Sequence, residues 1–166
     1  MQYCSLNRLL YGFKRFVACG GAGVLKRNTK VGKIIIPSSA LRDEGTSYHY
    51  QHASRIIEMD DTTIKILEDE MKLDGTPYII GRTWTTDAPY RETKEKINDR
   101  ISEGCLTVDM ECSAFIVVSK FRKVKFGQYL YAGDDLSGEK WDHRNWTSNQ
   151  IREYIFWKSI DSCMKL

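Results

Sequence analysis

Apolar residues along this chain fall into short continuous runs and into longer stripes at helical spacing, and the two patterns alternate. FVACGGAGVL, residues 16–25, is an apolar run that passes into Gly20, Gly21 and Gly23. It predicts a buried strand ending in a tight loop, where only glycine permits close backbone approach. VGKIIIPSSA, residues 31–40, contains a second buried strand, stopped at Pro37. Residues 41–52, LRDEGTSYHYQH, are polar and irregular around Gly45. The spacing then turns helical: Asp60 or Asp61 caps a helix over residues 61–73, with Ile64, Leu67 and Met71 on one face, before Gly75 and Pro77 break it.

Residues 78–84 read as a third strand and residues 91–103 as an amphipathic, highly charged helix. Residues 109–121 read as a well-buried helix, with Ala114, Val117, Val118 and Phe121 along one stripe. Residues 126–132 form a further strand that ends at Gly133-Asp134-Asp135. Thr147 caps a final helix whose apolar face carries Ile151, Tyr154 and Ile155, and residues 6–13 read as the tail of a helix feeding the first strand. Strands alternating with helices predict an α/β domain with a largely parallel or mixed sheet. Ligands of such sheets collect at the carboxyl ends of strands, which is where the glycine loop, Thr86-Asp87 and Asp134-Asp135 fall.

Composition narrows the picture. The chain has 166 residues, enough for one domain with a sizeable core, and neither repeats nor a low-complexity linker divide it, so residues 1–166 are expected to form a single domain. Lys and Arg number 25 against 22 Asp and Glu, a net charge of +3 that is evenly spread and too small to argue for a nucleic-acid or membrane-surface partner. The densest basic cluster, Lys120, Arg122, Lys123 and Lys125, reads as the solvated end of a helix. No apolar run approaches the ~18 residues of a membrane span. Cys4, Cys19, Cys105, Cys112 and Cys163 include no CxxC pair and no signal peptide precedes them, which implies reduced thiols in a cytoplasmic protein. The triplet Asn145-Trp146-Thr147 matches a glycosylation acceptor but has no meaning without a secretory route.

Several residues carry candidate chemistry, each beside a structural reading. Gly20-Gly21-Ala22-Gly23 presents backbone N–H groups to an anion or forms a tight turn. Asp134 and Asp135 suit acid chemistry, because burial keeps a carboxyl protonated near neutrality, or they cap a turn. Asp109 and Glu111 stand at a helix start, where acids are favoured electrostatically in any case. His49 and His52 have i, i+3 spacing but lie among Gly and Ser without a third ligand, so no metal is expected. Cys19 is a nucleophile or a small buried residue, and Trp84, Tyr90 and Trp146 stack on a base or pack in the core.

Taken in order, FVACGGAGVL, VGKIIIPSSALRDEGTSYHY, TWTTDAPY, VDMECSA and YAGDDL resemble segments of the nucleoside phosphorylase superfamily, the purine and uridine phosphorylases and related nucleosidases. The matches span roughly residues 15–146. VDMECSA and RDEGTSYHY are the more specific of them. The resemblance implies a three-layer α/β/α sandwich around a mixed central sheet, here lacking the first strands because family chains carry a longer N-terminal portion. It implies phosphorolysis of a nucleoside, with no cofactor and inorganic phosphate as co-substrate, in a homo-oligomer. By position, Met110 and Glu111 hold the ribose, Asp134 protonates the departing base, and Thr86, Asp87, Pro89 and Tyr90 line the base pocket. Cys19, Gly20 and Arg42 are the phosphate contacts, Arg42 or Arg82 standing in for an arginine that the family carries where this chain has Phe16. No uracil-reading Gln/Arg insert follows the pocket segment, which favours a purine or an unusual base over uracil. The alternatives are a nucleosidase that uses water and a paralogue that binds a nucleoside without turnover.

Overall fold

The structure, a computed structural model, describes residues 12–26, 29–138, 140–144 and 149–166. Within them run strands β1 (Arg15–Val24), β2 (Ile34–Asp43), β3 (Ile56–Glu58), β4 (Tyr78–Thr86), β5 (Cys105–Asp109) and β6 (Lys125–Asp135). Four helices accompany them: α1 (Asp61–Leu73), α2 (Lys94–Ser102), α3 (Cys112–Arg122) and α4 (Asn149–Lys165). This is the mixed α/β fold expected, with one mixed central sheet in the order β3-β2-β4-β5-β1-β6.

The sheet does not stay open. β6 bonds back to the first half of β2 through the pairs Ile34–Tyr131 and Ile35–Leu130, so five strands close into a ring with β3 outside it on β2. Inside the ring pack Ala22, Val24, Ile35, Leu130 and Ala132. The helices cover its outer faces: Leu67 and Met71 of α1 and Ile155 of α4 bury Ile34, Ile36, Tyr129 and Tyr131. Cys112, Ile116 and Val117 of α3 meet Ala40, Ile57 and Met59, and Ile97 of α2 packs with Leu41, Trp84 and Val108. Each buried Leu, Ile, Val or Met among them contributes about 1.5–3 kcal/mol on removal from water.

Several sequence expectations are corrected here. β1 does not end in a glycine loop; Gly20, Gly21 and Gly23 continue the extended strand, and none has a positive φ. Gly21 and Gly23 are small because neighbours come close, a Cβ on Gly21 lying 3.0 Å from the Tyr131 ring, whereas a Cβ on Gly20 would meet nothing within 4 Å. β2 is not stopped at Pro37 but runs on to Asp43, the proline sitting at a bulge where the register with β4 shifts. Residues 105–109, assigned to no strand from sequence, form β5, and the helix read from Asp109 begins at Cys112. The short β3 was likewise hidden, and α2 starts at Lys94 under a Thr93 cap, after a 3₁₀ turn at Pro89–Arg91. Asp60 caps α1 as expected, accepting from the Thr63 N–H at 3.0 Å. The proposed helix tail before β1, Cys4, Trp146 and the Thr147 cap lie outside the described residues, Gly12 and Phe13 excepted.

Strand directions bring the site into being. β1 runs parallel to β6 from Arg15 onward but meets β5 antiparallel, and only at its tip, through Gly23–Val108 and Val24–Thr107. The carboxyl ends of β1, β5 and β6 therefore converge, while the first part of β1 splays away from β5. Gly23 sits at the convergence, where a Cβ would stand 2.6 Å from Leu136 Cδ1 and 2.9 Å from Val108 Cγ1. Gly23→Ala is expected to destabilise the protein by about 1–3 kcal/mol through overpacking, read as a lower urea midpoint. An unchanged midpoint would show that Leu136 yields freely.

Candidate functional site

Where β1 leaves β5, a cavity of about 630 Å³ opens between β1, α3 and β6. One wall is apolar, built by Phe16, Phe115, Val118, Phe126 and Leu130. The other end is acidic and lies at the converging strand tips, with Pro89, Glu92, Asp109, Met110, Glu111 and Asp134 around it. Among the described residues no Lys or Arg lines this cavity.

Asp109 ends β5 and is wholly buried. One carboxylate oxygen accepts from the hydroxyls of Thr83 (3.1 Å) and Thr85 (2.9 Å), the other from the backbone N–H groups of Glu111 (3.0 Å) and Cys112 (2.7 Å). Burial outweighs these four donors and pushes its pKa up to about 6. Both oxygens are occupied, so Asp109 braces the turn that presents Met110 and Glu111. Met110 is 43% exposed, and Glu111, at the N-cap of α3, makes no capping bond with its side chain. Glu111 lines the cavity, and burial raises its pKa against the Met110 N–H that its carboxylate accepts from.

Asp134 lies within β6, one residue from its end, and accepts from the indole N–H of Trp141 at 2.5 Å. Asp135 faces elsewhere: it accepts from the Ser137 N–H and pairs with Arg144 at 3.5 Å. The chain from Gly133 to Arg144 folds back on itself, with Asp135 and Asp142 bonded backbone to backbone. Glu92 follows the 3₁₀ turn and is half-buried; its pKa is pushed up to about 7 by burial and by the nearby charge of Asp134.

The structure thus gathers Cys19, Gly20, Pro89, Met110, Glu111 and Asp134 at one cavity, and does not bring Arg42, Thr86, Asp87 or Tyr90 to it. Arg42 is 1% exposed and bonded to Ser47, Gln51, His52 and Ser54. Arg82 is likewise engaged, donating to Ser39 Oγ at 3.1 Å and to the Glu103 carbonyl. Thr86 is buried and caps its own turn through Ala88 N–H, Asp87 accepts from the Gly45 N–H at 2.9 Å, and Tyr90 is fully exposed. Trp84 is a core residue whose indole donates to Asp43. The RDEGTS segment is a clasp: Glu44 accepts from Ser47 N–H and from the Ser113 hydroxyl of α3. His49 and His52 belong to no metal-ligating cluster among the described residues.

Sequence reasoning missed Glu92 and Trp141. The sequence pattern places Glu92 in a charged helix; the signal that separates it is Thr93, whose N-cap role leaves the preceding residue outside α2.

The family model of the phosphorylase superfamily matches residues 4–153. A guanosine phosphorylase of Halorubrum lacusprofundi is 23% identical over 116 residues, covering 70% of this chain and 48% of that protein. A purine nucleoside phosphorylase of Colwellia psychrerythraea is 25% identical over 148 residues, covering 88% and 61%. The chain therefore spans about half to three fifths of the length of these relatives. Among solved structures, a P. knowlesi homologue of P. falciparum PNP superposes with a TM-score of 0.80 at 21% identity, covering 97% of this chain and 65% of that one. An AMP nucleosidase from Bacteroides thetaiotaomicron gives a TM-score of 0.70 at 24% identity, covering 88% and 57%.

Proposed function

The chain belongs to the phosphorylase superfamily, and from that premise we propose that it cleaves the N-glycosidic bond of a purine nucleoside by phosphorolysis, giving free base and ribose 1-phosphate. The observation that carries this reading is the single cavity in which Met110, Glu111 and Asp134 meet at three converging strand ends. A sugar diol offers two donors and the Glu111 carboxylate accepts both, with the Met110 thioether against the sugar face. The acidic end beyond Gly23, where a Cβ would lie 3.5 Å from Asp134 Oδ1, is open to the base. As the glycosidic bond breaks, charge develops on the base, and an acid placed there accelerates departure by about 10²–10⁴-fold. Adjacent N–H groups in a parallel ladder alternate sides, so one of Cys19 and Gly20 directs its N–H away from β6, toward the open edge where phosphate would sit.

Hydrolysis is the second reading, and one observation favours it: no cation among the described residues lines the cavity to hold phosphate. Incubating the protein with inosine, guanosine, adenosine and uridine, with and without phosphate, separates the two. Base release that requires phosphate is the expected result. Release indifferent to phosphate makes the chain a nucleosidase, and no release from any nucleoside overturns both readings.

A further inference from the structure

Four carboxyl groups face the acidic end of the cavity, and three have a visible occupation. Asp109 spends both oxygens on four donors, Glu111 accepts from the Met110 N–H, and Asp134 accepts from Trp141. Glu92 is different. Its backbone N–H closes the 3₁₀ turn onto the Pro89 carbonyl at 3.2 Å, which fixes the residue beside Pro89 at the cavity wall. No described residue donates a hydrogen bond to its side chain. A desolvated carboxyl with no donor, facing a carboxylate that has one, is the member of the pair that keeps the proton.

We propose that Glu92 is the proton donor to the departing base and that Asp134 is its anionic partner across the cavity. The assignment rests on the glycosidic reading above and refines it, since position in the family motif alone points to Asp134. The step balances simply. The C1′–N bond breaks with its electron pair going to the base, the Glu92 O–H proton passes to a base nitrogen, and a phosphate oxygen forms the new bond to C1′. Glu92 is left as carboxylate and regains its proton from the phosphate monoester product or from solvent.

The other titratable groups lining this cavity among the described residues are Cys19 of β1, Asp109 and Glu111 before α3, and Asp134 of β6; none is cationic at neutral pH. Burial, then the Asp134 charge, put the Glu92 pKa near 7 against an ordinary 4.5. Because the folded value is raised, the stability associated with protonated Glu92 is present at low pH and lost as pH rises from about 4.5 through about 7.

The test compares wild type, Glu92→Gln and Asp134→Asn on inosine and on 7-methylguanosine, with phosphate, across pH 6–9. The base of 7-methylguanosine is already cationic and leaves without needing a proton. Glu92→Gln is expected to lose about 10²-fold or more in kcat/KM on inosine and under about tenfold on 7-methylguanosine, and Asp134→Asn to shift the alkaline limb of the inosine profile to lower pH. Equal loss on both substrates, or none, overturns the assignment while leaving the glycosidic reading intact. A wild type that releases no base overturns that reading and this assignment with it. Tm against pH reads the carboxyl pair without turnover. Glu92→Gln should match wild type at pH 5 and exceed it above pH 7, and Asp134→Asn should lower the midpoint of the wild-type decline. A decline unaltered by either substitution sinks the pair.

Discussion

Glu111→Ala is expected to lower kcat/KM for a ribonucleoside by about 10²–10⁴-fold with little change in stability. The size follows from chemistry: a hydrogen bond to a charged group contributes about 1.5–3 kcal/mol, two hydroxyls double that, and each 1.36 kcal/mol is a factor of ten. The small stability cost follows from structure, because the Glu111 side chain makes no capping bond and the turn it stands on is held by Asp109. The check is a substrate pair. Wild type should discriminate strongly against a 2′-deoxynucleoside, whereas the variant, with no carboxylate to lose, should treat the two sugars nearly alike. A variant that still discriminates would place the sugar elsewhere in the cavity.

Arg42→Met should destabilise the protein by about 2–4 kcal/mol and leave the dependence on phosphate unchanged. The guanidinium is buried and reaches Ser47 Oγ at 2.9 Å, the His52 carbonyl and Ser54 Oγ at 2.8 Å each, and the Gln51 carbonyl at 3.3 Å. It also lies over the Tyr48 ring, 4.2 Å from its centre. Methionine fills much of the volume but leaves these buried acceptors unpaired, a penalty of about 1–3 kcal/mol for each group that water cannot reach. Arg42→Lys should recover little, since one ammonium cannot reproduce a planar fork. Urea unfolding and a phosphate titration of base release read the two halves separately. A raised KM for phosphate at an unchanged urea midpoint would return Arg42 to the phosphate site that its motif suggested.

Local pattern determined a good deal of this protein. The α1 stripe of Ile64, Leu67 and Met71, the Asp60 cap, the strand through residues 78–84 and the alternation of strand with helix are all readable, because helical and extended periods and caps are properties of a few neighbouring residues. The order of its motifs pointed to the family and to Met110, Glu111 and Asp134, which share one cavity. What the sequence did not disclose depends on partners distant in the chain. β5 is five residues long and becomes a strand through its pairing with β4 and the tip of β1, and β2 survives Pro37 through a bulge against β4. Gly21 and Gly23 look like part of a loop until the Tyr131 ring and Leu136 show why nothing larger fits. The placement of Arg42 in a buried hydrogen-bond network and of Glu92 at the cavity wall was hidden for the same reason. A charge acts on substrate or on the fold according to the burial and donors that surround it, and those are supplied by residues 5 to 12 positions away for Arg42 and by β6, across the cavity, for Glu92.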